Sequence, residues 1–372
     1  MKNIINKFLN LVIMKACLMY APFRGLARDV SEEPKKIVIL RWTPHMGDVV
    51  YTTPMFSAIK KKYPNCKVCV VGRGRVKEVL RYNPDVDQFI EYKDNFWETV
   101  KKIRREQFDF GCVAKPGTSV GFALLYLGGV RAISLFDVLN EPKVKSITYF
   151  YLLKLGIPVP FYNHQYIPPQ FLKLLEPLGI QNPDVRFKLY SSPDAEAKVL
   201  STLKDNNVYP GKDFIVSIAP GGSTEDRWWP ADRFARLVKY LVAKYNAKIL
   251  LLGAGTDEKA INDVIQNLGD TQYINLLNQN LDEFMATIKQ SSVVVGNDYG
   301  PMVTADAFDV SNLVFVGPTD EHEYHKPAGK LNRIIKSSTG KMEDISLDSA
   351  NDELEIIIGN LNLKPDSSQN EF

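Results

Sequence analysis

The stretch Val293-Val294-Val295-Gly296-Asn297-Asp298-Tyr299-Gly300-Pro301-Met302 empties a short apolar strand into a tight polar turn at which a helix can start. Such a turn suits an anion. The first amide N–H groups of a helix lack internal partners and carry the positive end of its dipole, so Gly300 and Pro301 offer a phosphate close approach and a helix start. A second turn repeats the logic. Ile218-Ala219-Pro220-Gly221-Gly222-Ser223-Thr224-Glu225-Asp226-Arg227-Trp228-Trp229-Pro230 follows the apolar run Phe214 to Ile218 and precedes a helix that Pro230 can open at its first position.

The elements that must hold these turns follow an alternating pattern. Apolar runs of strand length at Lys36–Leu40, Lys67–Val71, Gln88–Glu91, Phe108–Val113 and Arg131–Ser134 alternate with helical stretches at Asp48–Lys62, Arg75–Tyr82, Phe96–Arg105 and Val120–Leu127. That alternation predicts an α/β fold with a doubly wound parallel sheet. Residues 136–190 lose the pattern and gather proline, tyrosine and phenylalanine, which reads as loops followed by an interdomain connection. A second alternation runs from Ser192 to Val316, so both anion turns fall at the carboxyl ends of strands, where open sheets bind ligands. Ile345–Leu361 reads as a terminal helix, and Lys364–Phe372 as a loose tail.

A chain of 372 residues exceeds the size at which a single core stops growing, so two domains are expected. Its 45% apolar and 24% charged residues are ordinary globular values, and a net charge of +3 is no argument for a nucleic-acid partner. Cys17, Cys66, Cys69 and Cys112 are too few and too scattered for a disulfide framework, which fits a reducing compartment. Residues 1–28 contain Lys2, Lys7, Lys15, Arg24 and Arg28 with no acidic side chain. Their apolar run, Leu9 to Tyr20, is interrupted by Lys15 and is shorter than the roughly 20 residues a bilayer span requires. An amphipathic helix lying on an anionic inner leaflet accounts for the charge and the length together; packing on the protein is the alternative.

Three blocks resemble the glycosyltransferase family 9 heptosyltransferases, which use an ADP-sugar donor to extend lipopolysaccharide cores. They are His45-Met46-Gly47-Asp48, Pro220 to Pro230, and Gly296 to Met302 with Gly317-Pro318-Thr319-Asp320 downstream; the likeness covers roughly Lys35 to Ile335. The resemblance implies a GT-B architecture of two facing Rossmann-like domains with parallel sheets. Its parts would be an N-terminal segment 1–34, an acceptor domain 35–190, a nucleotide-sugar donor domain 191–345 and a C-terminal helix and tail 346–372. The implied activity is inverting, metal-independent transfer of a sugar, heptose among the candidates, to a lipopolysaccharide-type or other cell-envelope glycan, in the cytoplasm or peripherally on the inner membrane. A nucleotide diphosphate sugar is then the co-substrate, with no separate cofactor and no metal.

Glycosyl transfer needs a base for the acceptor hydroxyl and a means of stabilising the departing diphosphate. Asp48 matches the family's catalytic aspartate and can be that base; an N-terminal helix cap is its structural alternative. Arg227 aligns with a basic position that contacts donor phosphates, with Ser223 and Thr224 as hydroxyl donors in the same loop, and a permanent cation there can replace a metal. Asp298 carries over as a residue near the donor sugar, Tyr299 and Gly300 as the phosphate turn, and Asp257 or Glu258 as the acidic residue at the ribose. The family commonly has a small hydroxyl residue where Tyr299 stands and a histidine where Val303 stands; the valine removes a polar contact to the donor, which leaves its sugar or nucleotide open to departure from ADP-heptose.

Other motifs read as structure. Asp85-Val86-Asp87 has a metal-binding spacing but precedes a strand, which suggests a solvated turn, and His322-Glu323-Tyr324-His325 offers no third ligand. Gly72-Arg73-Gly74 and Gly253-Ala254-Gly255 begin a dinucleotide fingerprint that Lys77 and Glu258 leave unfinished. Cys66 and Cys69 enter a strand and read as packing, as do Trp228 and Trp229 beneath their loop. Three rival functions remain: a nucleotide-sugar epimerase or hydrolase on the same scaffold, a nucleotide-sugar-binding protein without catalysis, and a nicotinamide-dependent redox enzyme.

Overall fold

The computed structural model describes residues 2–42, 45–138, 147–162, 165–317 and 332–364, with no side-chain detail for 2–10, 147 and 148. The chain forms two compact units, Met1–Val185 and Arg186–Phe372. The first opens with helix α1 (Lys2–Arg24) and continues β1 (Lys36–Arg41), α2 (Met46–Val50), α3 (Thr53–Lys62), β2 (Lys67–Gly72), α4 (Val76–Leu80) and β3 (Gln88–Glu91). It is completed by α5 (Phe96–Glu106), β4 (Phe110–Val113), α6 (Ser119–Leu127), β5 (Ala132–Asp137), α7 (Ile147–Leu153), β6 (Ile157–Pro160) and α8 (Pro168–Lys173). The second comprises α9 (Pro193–Asp205), β7 (Ile215–Ala219), α10 (Ala231–Tyr245), β8 (Lys248–Gly253), α11 (Glu258–Leu268), β9 (Ile274–Leu277), α12 (Leu281–Gln290), β10 (Val293–Asn297), α13 (Gly300–Ala307), β11 (Ser311–Val316), β12 (Asn332–Lys336) and α14 (Leu347–Asn360).

Each unit is built on a parallel sheet of six strands, ordered β3-β2-β1-β4-β5-β6 in the first and β12-β11-β10-β7-β8-β9 in the second. Counted within its own unit, each sheet has the 3-2-1-4-5-6 order of a doubly wound nucleotide-binding fold. Helices cover both faces, so the inner strands are buried on both sides and read as continuous apolar runs, Ile37 to Leu40 and Val293 to Val295. The order reverses between β1 and β4 and between β7 and β10, and crevices at such switch points receive ligands.

Two elements differ from the sequence reading. The helix expected over Asp48–Lys62 is two helices, because Pro54 has no amide for the Val50 carbonyl; Thr53 Oγ1 donates to that oxygen instead at 2.8 Å, and Thr52 Oγ1 donates to Val49 O at 2.6 Å. The proline-rich stretch after residue 136 contains β6, paired with β5. It is an edge strand, the place in a sheet that tolerates proline. The C-terminal helix, as read from the sequence, lays Ala350, Leu354, Ile357 and Ile358 into the core of its own unit, while Tyr245 Oη donates to Glu355 at 2.6 Å.

From Ile13 to Arg28 the N-terminal segment is sewn into the first unit. Ile13 and Cys17 of α1 are buried, Arg24 Nε donates to Tyr126 O at 3.0 Å, and Tyr126 Oη donates to Gly25 O at 2.8 Å. Cys66 and Cys69 are buried free thiols, as their packing role predicts; burial pushes Cys66 up to about 11 and Cys69 higher still. Asp87 of the Asp85-Val86-Asp87 turn receives Lys60 Nζ at 2.7 Å and the Val68 amide at 2.7 Å. His322 to His325 and Pro318 to Asp320 lie outside the described residues.

Candidate active site

The carboxyl ends of β7, β8 and β10, neighbours in the sheet, bring three turns together in the second unit. Asn297, the last residue of β10, is buried and ties them: its Nδ2 donates to Pro220 O at 2.7 Å and Gly221 O at 2.9 Å, while its Oδ1 accepts the Trp229 amide at 3.0 Å. The side chain thus absorbs the inward carbonyls of the glycine turn. Asp257 secures the other flank by accepting from the amides of Gly222 at 3.2 Å and Ala254 at 2.9 Å. A Cβ on Gly221 would overlap the Asp257 carboxylate, and Gly222 has φ +155°, a conformation that L residues avoid.

On this frame Ser223 and Thr224 are exposed and Arg227 is half-buried at the end of a short 3₁₀ turn, Glu225–Arg227. Trp229 beneath the loop is core, stacked on Phe315 at 4.2 Å, with Nε1 donating to Ile345 O at 2.9 Å. Trp228 is half-buried and donates to Gly222 O at 3.4 Å, so it braces the loop from its edge. Helix α13 starts at Gly300 with Pro301 in its first turn. Among the described residues nothing lies within 4 Å of where a Cβ on Gly300 would stand, which leaves room at the helix start. Asp298 is half-buried and its amide donates to Phe315 O at 3.1 Å.

The Tyr299 side chain ends inside the protein at this turn. Its hydroxyl is buried beside Gly221 and Asp257, and among the described residues no ordinary hydrogen bond satisfies it. Burial and the Asp257 carboxylate push this phenol well above its usual range, against a small opposing pull from the Gly221 amide, so it stays protonated. Of the two acidic candidates, Asp257 belongs to the turn cluster, whereas Glu258 is exposed at the start of α11. Val303 is buried in α13.

The first unit presents a different arrangement after β1. His45, not Asp48, stands at the N-cap of α2; Asp48 lies in the first helical turn, half-buried, with Oδ1 3.5 Å from Arg41 Nη2. Asp48 therefore does not serve as the helix cap. Arg41 ends β1 and is almost wholly buried; its Nη1 donates to Ala114 O and its guanidinium stacks on Phe171 at 4.7 Å. Burial lowers the guanidinium to about 10 while Asp48 and Tyr51 act in the opposite sense, so it remains a cation at neutral pH. Sequence reasoning missed Arg41 and the tying role of Asn297. The signal for Arg41 was a basic residue closing an otherwise apolar buried run, Ile37 to Leu40.

Two doubly wound sheets of the same order, with glycine-bearing turns at the switch point of the second, define the class of GT-B folds. The chain belongs to glycosyltransferase family 9 (heptosyltransferase), whose profile matches residues 158–354, more than half its length, and it is a glycosyltransferase. Asp48 lies before that matched region. A lipooligosaccharide heptosyltransferase 2 of Haemophilus influenzae is 24% identical over 314 residues, covering 80% of this chain and 87% of the relative. The solved family 9 glycosyl transferase of Veillonella parvula is similar in fold, with TM-score 0.76 at 17% identity, covering 89% of this chain and 99% of that one. An Escherichia coli heptosyltransferase solved with ADP-2-deoxy-2-fluoro heptose gives TM-score 0.68 at 17% identity, covering 86% and 99%. Among the described residues no helix is long and apolar enough to cross a membrane, and no cluster of metal-ligating side chains occurs.

Proposed function

We propose that this chain is an inverting, metal-independent glycosyltransferase that moves a sugar, heptose first among the candidates, from a nucleotide diphosphate donor to a lipopolysaccharide-type or other cell-envelope glycan. One observation carries the reading: the second unit gathers at its switch point a bound-down glycine turn with Arg227, and a helix start at Gly300 with space beside it. Such a set offers a diphosphate amide donors, a helix dipole and a fixed cation. The Escherichia coli relative solved with an ADP-heptose analogue supports adenosine as the nucleoside.

In this mechanism Asp48 takes the proton from the acceptor hydroxyl as that oxygen bonds to the anomeric carbon. The bond from that carbon to the diphosphate oxygen breaks in the same displacement, which inverts the centre. The negative charge arriving on the leaving diphosphate meets Arg227, Ser223, Thr224 and the amides at Tyr299 and Gly300. Arg41 holds the carboxylate of Asp48 from its buried side. Asp257 orders the donor loop, and Asp298 lies near the sugar. Glu258 belongs to the ribose side in this reading. The protein works at the cytoplasmic face of the inner membrane, with residues 1–28 in peripheral contact.

Thermal shift with a panel of nucleotide diphosphate sugars tests it, because a ligand that binds only the native state raises apparent stability by about 2.7 kcal/mol at a hundred times its Kd. ADP-heptose should raise the melting temperature, and transfer should require an added acceptor. Stabilisation by no nucleotide of the panel would refute the reading; consumption of donor to an isomer without acceptor would instead make the protein an epimerase.

A further inference from the structure

Helix α1 has its apolar residues on both sides. Ile13 and Cys17 face the fold, where α1 packs on α6 and α7. The opposite arc, at about 100° per residue, carries Leu11, Val12, Lys15, Leu18, Met19, Pro22 and Phe23, all exposed, with Met19 75% and Phe23 88% accessible. A surface helix normally turns charged residues outward. Among the residues whose side chains are described, this one turns outward a stripe whose single charge is Lys15. Helix α7 adds exposed Phe150 and Tyr151, with Lys154 Nζ 4.5 Å and 5.7 Å from their ring centres.

We infer that the outer face of α1, with Phe150, Tyr151 and Lys154 beside it, is a docking surface for an anionic lipid monolayer, into which Met19 and Phe23 insert. The inference rests on the proposed function for one point, peripheral contact of residues 1–28 with the inner membrane, and adds which residues meet the lipid. Charge selects the occupant: residues 2–28 contain no acidic side chain to repel anionic headgroups. Composition selects it as well. Protein interfaces deplete lysine at their centres and favour arginine, whereas the cation within this stripe is a lysine whose long stem can reach up to headgroups while its neighbours insert. Aromatic rings with a cation alongside suit the headgroup level. Because α1 is docked on α6 through Arg24 and Tyr126, the helix would lie flat as a fixed part of the unit, not as a free anchor.

The test is sedimentation of the full-length protein with vesicles of phosphatidylglycerol and phosphatidylethanolamine, against vesicles of phosphatidylcholine. The protein should pellet with the anionic vesicles and lose binding as salt rises. Met19→Glu with Phe23→Glu should cut the partition coefficient at least about tenfold, since two large apolar side chains no longer enter the monolayer. Lys15→Gln should weaken binding by a smaller factor, and on anionic vesicles alone. Unchanged melting curves would show the variants folded, as expected for exposed positions. The inference fails if the protein stays in the supernatant with both vesicle types, or if the double variant pellets like the parent. It also fails, in favour of a second copy of the chain, if light scattering gives a dimer that the double variant splits while vesicles bind neither. Failure of nucleotide sugars to stabilise the protein, with vesicle binding retained, would sink the enzymatic reading and leave this surface standing.

Discussion

The two sheets share one strand order yet equip their switch points in opposite ways. After β1 the first unit offers side-chain charge, the Asp48 carboxylate against the buried guanidinium of Arg41. After β7 and β10 the second offers backbone, a glycine turn whose carbonyls are drawn inward by Asn297. A group that must exchange a proton has to be a side chain. A site that must hold a fixed anion is better made of amides and a helix start, which cannot lose their protons and need no reorganisation. One topology therefore supports both tasks, and the difference lies in a few residues at the strand ends.

The comparison can be broken hardest at Asp48. Asp48→Asn should lower turnover about 100-fold or more, the usual worth of a general base, while leaving donor affinity unchanged by titration calorimetry. An unaltered rate would deny the first unit its chemical part. Next in size, Asn297→Ala strips partners from two carbonyls and an amide; each buried group left unpaired costs about 1–3 kcal/mol, so calorimetric unfolding should show a marked fall in melting temperature and donor binding should go with it. Retained stability would mean that the turn holds itself. Arg227→Ala should weaken nucleotide diphosphate binding by about tenfold or more, the worth of a charge-assisted hydrogen bond, with little change in stability. Equal affinity in the variant would place the phosphates elsewhere. The smallest effect is expected of Tyr299→Phe. Removing a hydroxyl without a partner should leave stability level or raised by up to about 1 kcal/mol, with donor affinity intact; a weaker donor would show that the phenol bonds to the ligand instead.

Much of the scaffold was legible in the residues. Buried parallel strands leave unbroken apolar runs, and glycine with proline marks the turns, so Val293 to Met302 and Ile218 to Pro230 announced themselves. What stayed hidden depended on tertiary partners. Arg41 reads as a residue emerging into solvent until Ala114, Phe171 and Asp48 surround it, and Asn297 is one polar residue among several until the loop 77 positions away supplies its carbonyls. Asp257 and Glu258 are adjacent and chemically alike, and only the fold shows that the first turns into the loop while the second points out. The misreading after residue 136 has the same origin, since proline excludes a strand from the middle of a sheet but not from its border.

That border strand has an effect beyond its own unit. The Phe161 amide bonds inward to Asp137 O at 3.1 Å, so alternate positions aim outward, and these are Pro158 and Pro160. Neither has a hydrogen to donate. A neighbouring molecule approaching this rim finds the donors missing that it would need to lengthen the sheet, which guards an open margin against edge-to-edge aggregation in a crowded cell.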